Sequence, residues 1–494
     1  MLVKISLKRL FIFFICFVIF IYFSHISFYP TFWMDEAWDI SVAWSYLKKG
    51  VFGNPTYPLD GLDKAFFLHP PLPILLEIPL IKLFGITPLT IHFWAIFCGL
   101  GSILFLYLLV KRLFKEKVAF WSSVFLAVNP LFFLMSRQLR PEIYVTFFTI
   151  LSFYFLSLAK EKKNNLFYFL TGITSALSFL SHYYGAFLIG AIFLVLVIDI
   201  FRKRAVSLRN LLIFLIGIIL ILVPFFIWIL GNFEIFKIQF FGNLSNLTGI
   251  HKLINNFLKE KERYLKFRPA IGMIGFMLLG LILFLRKILI NTPELLLFCF
   301  IFLFGIAFFM PNKTLIYLTP VVPIVSIMAG LMISEKPDIL EDKKLLLVVK
   351  LIAIGFLLAS LFYTFQPKNM SAYFKGIPYN VLNKDFNEAI EKHYQNGKII
   401  GDPTYFLFLP DNLKENFNCE HVLFNWLKER NPDEVFKEKE IQIFIYSPYW
   451  WNDWCRNENN VCLRLEEFLK NKGELLRDLK RSGEGIDYIY KINY

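Results

Sequence analysis

The sequence predicts an all-α polytopic membrane protein that carries a small α/β domain at its C-terminal end. Three observations lead there. Hydrophobic residues make up 57% of the 494 and charged residues only 18%, against roughly 45–50% apolar in soluble domains. Eleven apolar runs of membrane-spanning length predict about eleven transmembrane helices. After residue 365 the pattern changes to short strand-like and helix-like segments in alternation.

The runs fall near 10–28, 89–110, 118–136, 142–159, 166–181, 183–201, 210–230, 270–286, 294–310, 315–333 and 345–363. The first is too long for a secretory h-region, and bulky aromatic residues follow it where a small-residue cleavage site belongs, so it reads as a retained helix. The net charge of +14 does not point to nucleic acid, because of where the cations lie. Lys4, Lys8 and Arg9 precede the first run, and Lys111, Arg112, Lys115 and Lys117 follow the second. Lys160, Lys162 and Lys163 follow the fourth, and Arg202, Lys203, Arg204 and Arg209 the sixth. Cations in short loops on alternate sides obey the positive-inside rule. They predict a multi-pass cell-membrane protein with a cytoplasmic N-terminus, long outer loops near 29–88 and 231–269, and an extracytoplasmic tail. The expected domains are 1–364, spanning the membrane, and 365–494, soluble.

In the tail, "KIIGDPTYFLFLP" and "EIQIFIYSPYW" read as buried strands, and "DFNEAIEKHYQ", "CEHVLFNWLKER" and "RLEEFLKNKGELL" as amphipathic helices. Cys16, Cys98 and Cys299 lie in apolar runs and read as packing residues. Cys455 and Cys462 flank "RNENNV" and are spaced to close a disulfide loop, Cys419 being left over; C-x6-C is not zinc spacing. "NLS" at 243–245, "NLT" at 246–248 and "NKT" at 312–314 are short sequons in outer loops.

The chemistry-bearing residues lie in the outer loops. Asp35 and Glu36, in "MDEAWDIS", stand beside the membrane, where low dielectric favours the protonated acid unless a cation is near. That suits a general base or a metal ligand. They also suit the first turn of a helix running through "AWDISVAWSYLKKG" to Gly50, and the two readings are compatible. His69 precedes the prolines of "HPPLPILLEIPLIKLFG", a segment whose Glu77 and Lys82 argue for an interfacial helix. Arg137, Arg140 and Glu142 in "SRQLRPE" run against the positive-inside bias and call for an anion, either Glu142 itself or a lipid phosphate. His182 and Tyr183 mark another outer junction, and Lys313 stands in a short outer turn with Tyr317 one helical turn further on. Each has a bland reading: a structural His, aromatic-belt tyrosines, a lone lysine. Together they are cations at an outer interface, which suits a polyprenyl-phosphate headgroup, beside carboxylates that suit activation of an acceptor.

"MDEAWDIS...LKKG", "HPPLPILLEIPLIKLFG", "SRQLRPE" and "NKTLIYLTPVVP" follow one another as in the lipid-dependent glycosyltransferases of the GT-C fold. Residues 1 to about 360 resemble the superfamily of the dolichyl-phosphate-mannose–protein mannosyltransferases and the lipid A aminoarabinose transferases. The resemblance implies inverting transfer from a polyprenyl-phosphate-linked sugar donor to a protein, glycan or lipid acceptor. It implies Asp35 as base with Glu36 beside it. It places the donor phosphate at Lys313 with Tyr317, at Arg137 and Arg140, and at His69, where many relatives have lysine. Glu142, His182 and Tyr183 would support that site. Some relatives hold a divalent metal ion, for which Glu36, His69 and His251 are the candidates; no other cofactor is implied.

Two other readings remain. "YWWNDW" at 449–454 is close to the WWDYG signature of oligosaccharyltransferase catalytic subunits, with Asn452 in place of Asp and no Gly following. Trp450, Trp451 and Trp454 read instead as core or lipid-surface aromatics. A polyprenyl-linked lipid flippase or transporter would carry mid-membrane charges and inverted repeats, whereas here the charges sit at helix ends.

Overall fold

The structure is a computed structural model that describes residues 6–27, 30, 32–203, 206–244, 250–266, 268–310, 313–337, 340, 342–365, 379–428, 430–448, 451, 454, 459–481 and 485–493. Lys4, Arg204, Asn246, Asn312, Trp450, Asn452 and Cys455, all singled out above, lie outside these residues.

Helices up to residue 364 run in the order α1 (Leu7–Phe23), α2 (Met34–Lys49), α3 (Leu72–Phe84), α4 (Pro88–Leu113), α5 (Glu116–Ala127), α6 (Pro130–Met135), α7 (Pro141–Lys162), α8 (Asn165–Ser181) and α9 (Ala186–Phe201). Then come α10 (Leu208–Gly231), α11 (Phe233–Leu244), α12 (Ile250–Leu258), α13 (Glu260–Lys266), α14 (Arg268–Asn291), α15 (Pro293–Phe309), α16 (Val322–Ser334) and α17 (Lys343–Thr364). Among the described residues, seven of the eleven expected runs lie in helices long and apolar enough to cross a membrane. The other four are shorter. α1, α8 and α15 have 17 residues each. The run expected over 118–136 is broken into α5 and α6 at Asn129-Pro130. There the Asn129 side chain accepts from the backbone N–H of Leu131 and Phe132, both at 3.1 Å, and starts a new helix.

The chain divides into two compact units. The first comprises Met1–Ser24, Leu68–Pro73 and His92–Gln366. Its helices pack through small residues. A Cβ on Gly172 of α8 would lie 2.1 Å from the Phe214 carbonyl oxygen of α10, and one on Gly217 of α10 would lie 2.4 Å from that of Phe169. Without a hydrophobic drive between helices in lipid, such close backbone approach supplies the packing. Outward faces of α10 and α17 expose Ile216, Ile219, Leu220, Leu230, Leu351 and Phe362, as helices solvated by acyl chains do. Cys98 and Cys299 are buried, but Cys16 is exposed on α1, so it is not a packing residue inside this unit.

The second unit comprises His25–Phe67, Ile74–Ile91 and Pro367–Tyr494, so much of the long loop expected over 29–88 belongs with the tail. Its helices in the tail are α18 (Tyr379–His393), α19 (Asp411–Lys414), α20 (Glu420–Leu427), α21 (Pro432–Glu438) and α22 (Asn459–Lys472). Its strands are β1 (Lys398–Gly401), β2 (Phe417–Cys419), β3 (Ile441–Tyr446), β4 (Gly473–Arg481) and β5 (Gly485–Ile492), in the order β2-β1-β3-β5-β4. β1 is parallel to β2 and β3; β5 is antiparallel to β3 and β4.

Two expectations shift here. "KIIGDPTYFLFLP" is a strand only to Gly401. The Asp402 side chain then accepts from Thr404 N–H at 2.8 Å and opens a 3-10 helix over Pro403–Leu407. "GELL", expected as helix, begins β4 at Gly473. Trp451 is fully buried in the core with Phe436, Phe444 and Leu465, and Trp454 packs against it. Its indole N–H donates to Glu420 at 2.9 Å. Cys462 is disulfide-bonded and Cys419 is a buried free thiol.

Candidate functional site

In the first unit a group of polar side chains gathers at helix ends. Pro141 occupies the first position of α7, where its missing N–H costs nothing. This puts Arg140 just before the helix and Glu142 in its first turn, where the helix dipole favours a carboxylate. The two form a fork: Arg140 Nε donates to Glu142 Oε2 at 3.2 Å and Nη2 to Oε1 at 3.1 Å. The pair is buried, with side-chain exposures of 6% and 0%. Removing one partner from such a pair leaves an uncompensated charge, costing about 3–5 kcal/mol. Arg137 is also fully buried; it donates to the Ser24 carbonyl at 2.7 Å and lies over the Phe133 ring.

His182 stands in extended backbone between α8 and a 3-10 turn over Tyr183–Gly185. Its Nδ1 accepts from the Tyr184 N–H at 3.3 Å and its ring stacks on that of Tyr184 at 3.9 Å. Burial, reinforced by the charges of His69 and Arg140, pushes the imidazole well below its ordinary value of 6.5. His182 is therefore neutral at pH 7, and does not serve as the cation that the sequence allows. Tyr183 turns instead to Phe179 and Phe240, with ring centroids at 5.9 and 5.1 Å.

Tyr317 lies in a 3-10 helix over Leu315–Val321, its ring 6.2 Å from that of His182 and 6.1 Å from that of Tyr184. The Arg263 guanidinium covers it at 5.8 Å. Arg263 Nε bonds Glu260 Oε1 at 2.6 Å, and Nη1 donates to the Thr314 carbonyl. Lys313 Nζ bonds Glu260 Oε2 at 3.0 Å and the Ala307 carbonyl at 2.7 Å. Burial lowers the Lys313 ammonium from 10.5, with Glu260 opposing. Among the described residues, then, Lys313 and Arg263 share one carboxylate. Glu260 and Arg263, spaced i,i+3 on α13, escaped the sequence reading. Nothing local singles out Arg263, which is one of seven Lys and Arg residues over 231–269.

In the second unit, α2 starts at Met34 with Asp35 and Glu36 in its first turn and ends at Gly50, which adopts φ +69° as a left-handed cap. This is the helix-terminus arrangement anticipated above. Glu36 is buried and one carboxylate oxygen accepts from the Trp33 N–H at 2.5 Å, closing the helix start. Asp35 is half-buried and Asp39 buried. His251 is exposed on α12. Among the described residues no three His, Cys, Asp or Glu side chains converge as a metal site would require. Glu36, His69 and His251 do not form such a group among the described residues.

Residues 68–228 match the family model described as dolichyl-phosphate-mannose-protein mannosyltransferase. In structure the chain is similar to ArnT from Cupriavidus metallidurans, at 14% identity over 97% of each chain with a TM-score of 0.59. It is likewise similar to the same protein bound to undecaprenyl phosphate, at 13% identity over 97% of each chain and 0.58. It is similar to the Archaeoglobus fulgidus oligosaccharyltransferase, at 12% identity over 96% of this chain and 73% of that one, with a TM-score of 0.61. No curated protein matches the chain by sequence. The chain is thus a multi-pass membrane protein with the fold of the GT-C glycosyltransferases. The family model it matches, over residues 68–228 and so over less than half of the chain, is that of the dolichyl-phosphate-mannose-protein mannosyltransferases.

Proposed function

We propose that this chain is an integral-membrane inverting glycosyltransferase. It moves a hexosyl or pentosyl group from a polyprenyl-phosphate donor to a protein, glycan or lipid acceptor on the outer face of the membrane. The N-terminus lies in the cytoplasm and the C-terminal domain outside. The observation that carries this reading is the pairing of Lys313 and Arg263 on the single carboxylate of Glu260 beside Tyr317. Two buried cations sharing one anion at a helix end suit a phosphate. The similar ArnT structure with undecaprenyl phosphate supports the class of donor. So does an AglB structure from Archaeoglobus fulgidus in complex with an inhibitory peptide and a dolichol-phosphate.

In this reading Asp35 takes the proton from the acceptor hydroxyl or amine as that atom attacks the anomeric carbon. The bond from that carbon to the phosphate oxygen breaks, its electron pair stays on the phosphate, and the configuration inverts. Lys313 and Arg263, with Arg137, Arg140 and His69 as further donors, stabilise the charge that develops on the leaving phosphate. Glu36 braces the start of α2, and Glu142 holds Arg140. The Archaeoglobus fulgidus oligosaccharyltransferase has been solved with Zn and sulfate, but the residues described here do not assemble a metal site, and no step passes through one.

The test is transfer by purified protein from a panel of radiolabelled polyprenyl-phosphate sugars, with Asp35→Asn alongside. Transfer should fall by about 10²–10⁴ in the variant while binding of the labelled donor persists. Equal transfer by Asp35→Asn would remove Asp35 as base. No transfer from any donor, with lipid movement across vesicles, would favour the flippase.

A further inference from the structure

A 16-residue helix alone in water is marginal, so what holds α2 decides where Asp35 points. Its partners in the second unit come largely from one stretch of the tail, residues 403–415. Phe32, just before α2, meets Phe408 edge-on at 6.2 Å. Towards the far end, the Trp44 ring meets Phe406 at 5.6 Å and its indole N–H donates to Asp411 Oδ1 at 3.2 Å. Lys48 bonds the other oxygen of Asp411 at 2.8 Å, and Lys49 reaches Glu415 at 3.6 Å. One stretch therefore grips α2 near both ends.

That stretch is itself anchored. The Tyr405 hydroxyl donates to Asp487 Oδ2 on β5 at 2.5 Å, and the other oxygen of Asp487 accepts from Ser447 just past β3 at 2.7 Å. The loop side of α2 is clasped as well. Ser41 donates to Asn54 Oδ1, which also accepts from Thr56, and the Thr56 carbonyl takes the Cys419 N–H at 2.8 Å.

We infer that the C-terminal domain is the socket of α2, and that Trp44 and Asp411 are positioning residues for Asp35. The inference rests on the proposed role of Asp35 as base. From Asp35 to Lys48 the helix is about 20 Å long. That far-end anchor sets the direction of the helix, and a change of roughly 3° in it moves the two ends about 1 Å relative to one another; a displacement of the Asp35 carboxylate by that much costs up to about a hundredfold in rate. The tail's job is thus the aim of the base, separate from any hold on the acceptor.

The experiment uses the full-length protein with Asp411→Ala and Asp411→Asn. Asparagine keeps the acceptor for the Trp44 indole. Amide hydrogen exchange should speed up over residues 34–49 in Asp411→Ala while strands 398–401 and 441–446 stay protected. In transfer assays with the radiolabelled donors, kcat should fall ten- to a hundredfold with the KM of donor and acceptor unchanged, and Asp411→Asn should recover most of it. Unchanged exchange over 34–49 in Asp411→Ala overturns the socket. Faster exchange with unchanged kcat overturns the positioning role. A shift in acceptor KM alone overturns it too, making this face part of acceptor binding. If the unmodified protein transfers nothing although α2 loosens in Asp411→Ala, the failure belongs to the reading of Asp35 as base, and the positioning role falls with it.

Discussion

Acidification should weaken the second unit through one side chain, His421. It lies on α20 with its ring 4.6 Å from Trp454 and 6.0 Å from Trp38, and its Nδ1 has no hydrogen-bond partner among the described residues. Burial pushes the imidazole from 6.5 down to about 4, with the Asp402 charge opposing. Above pH 6.5 the ring is neutral both folded and unfolded, and stability does not depend on it. Between 6.5 and about 4 the unfolded chain binds a proton that the folded protein refuses, so stability falls as pH falls. The interval of 2.5 between those values, at about 1.4 kcal/mol per pH unit, comes to about 3 kcal/mol. The assay is denaturant unfolding of the full-length protein, followed by tryptophan fluorescence from pH 7.5 to 4, for the unmodified chain and for His421→Gln. Carboxylates contribute to both curves, so the difference isolates the imidazole. The unmodified chain should lose about 3 kcal/mol more than the variant over this range. Parallel curves would refute the argument that His421 is held neutral by burial.

Other consequences of the packing are as direct. Gly172→Leu places a side chain where even a Cβ lies 2.1 Å from the Phe214 carbonyl. It should destabilise the α8–α10 pair by about 1–3 kcal/mol, read as a lower melting temperature in detergent; an unchanged melt would show that the helices part without cost. Glu260→Gln strips Lys313 and Arg263 of their shared carboxylate and should cost about 3–5 kcal/mol. Millimolar inorganic phosphate should then raise the variant's melting temperature more than that of the unmodified protein, and equal shifts would argue against an anion site. The losses expected for Asp35→Asn and Asp411→Ala complete the set.

Much of this fold is legible in apolar run length, because lipid demands helices and helices demand length. The break at Asn129-Pro130 was also legible, as a side-chain cap followed by proline, yet hydropathy averaged over a window passes across it. "GELL" was misjudged because Leu475 and its neighbours continue the apolar spacing of α22, while Gly473 and the pairing with β5 decide for strand. In the candidate site, Arg140 and Lys313 stood out as cations on the side expected to be poor in them, whereas Arg263 was hidden among six other Lys and Arg residues of 231–269. His182 could not be judged, since its charge depends on burial by Tyr184 and on Arg140 and His69. Nor could the grip of residues 403–415 on α2, a tertiary choice with no local pattern. The grouping of residues 25–67 and 74–91 with the tail in one compact unit likewise has no local pattern that announces it.

That last feature sets a schedule for biosynthesis. The hydrogen bond from Trp44 to Asp411 joins residues 367 apart in sequence. At about 5–20 residues per second, α2 leaves the ribosome roughly 20–70 seconds before its anchor exists, and most of the membrane helices are inserted in between. Through that interval Trp38 and Trp44 lack the tail surfaces they will finally cover. A chain that terminates early, even one holding every spanning helix, would keep Asp35 on a helix clasped at Asn54 but without its anchor at Asp411. The protein is thus made with its proposed base first and its proposed anchor last, so that a truncated copy in the membrane should transfer sugar more slowly than the full chain.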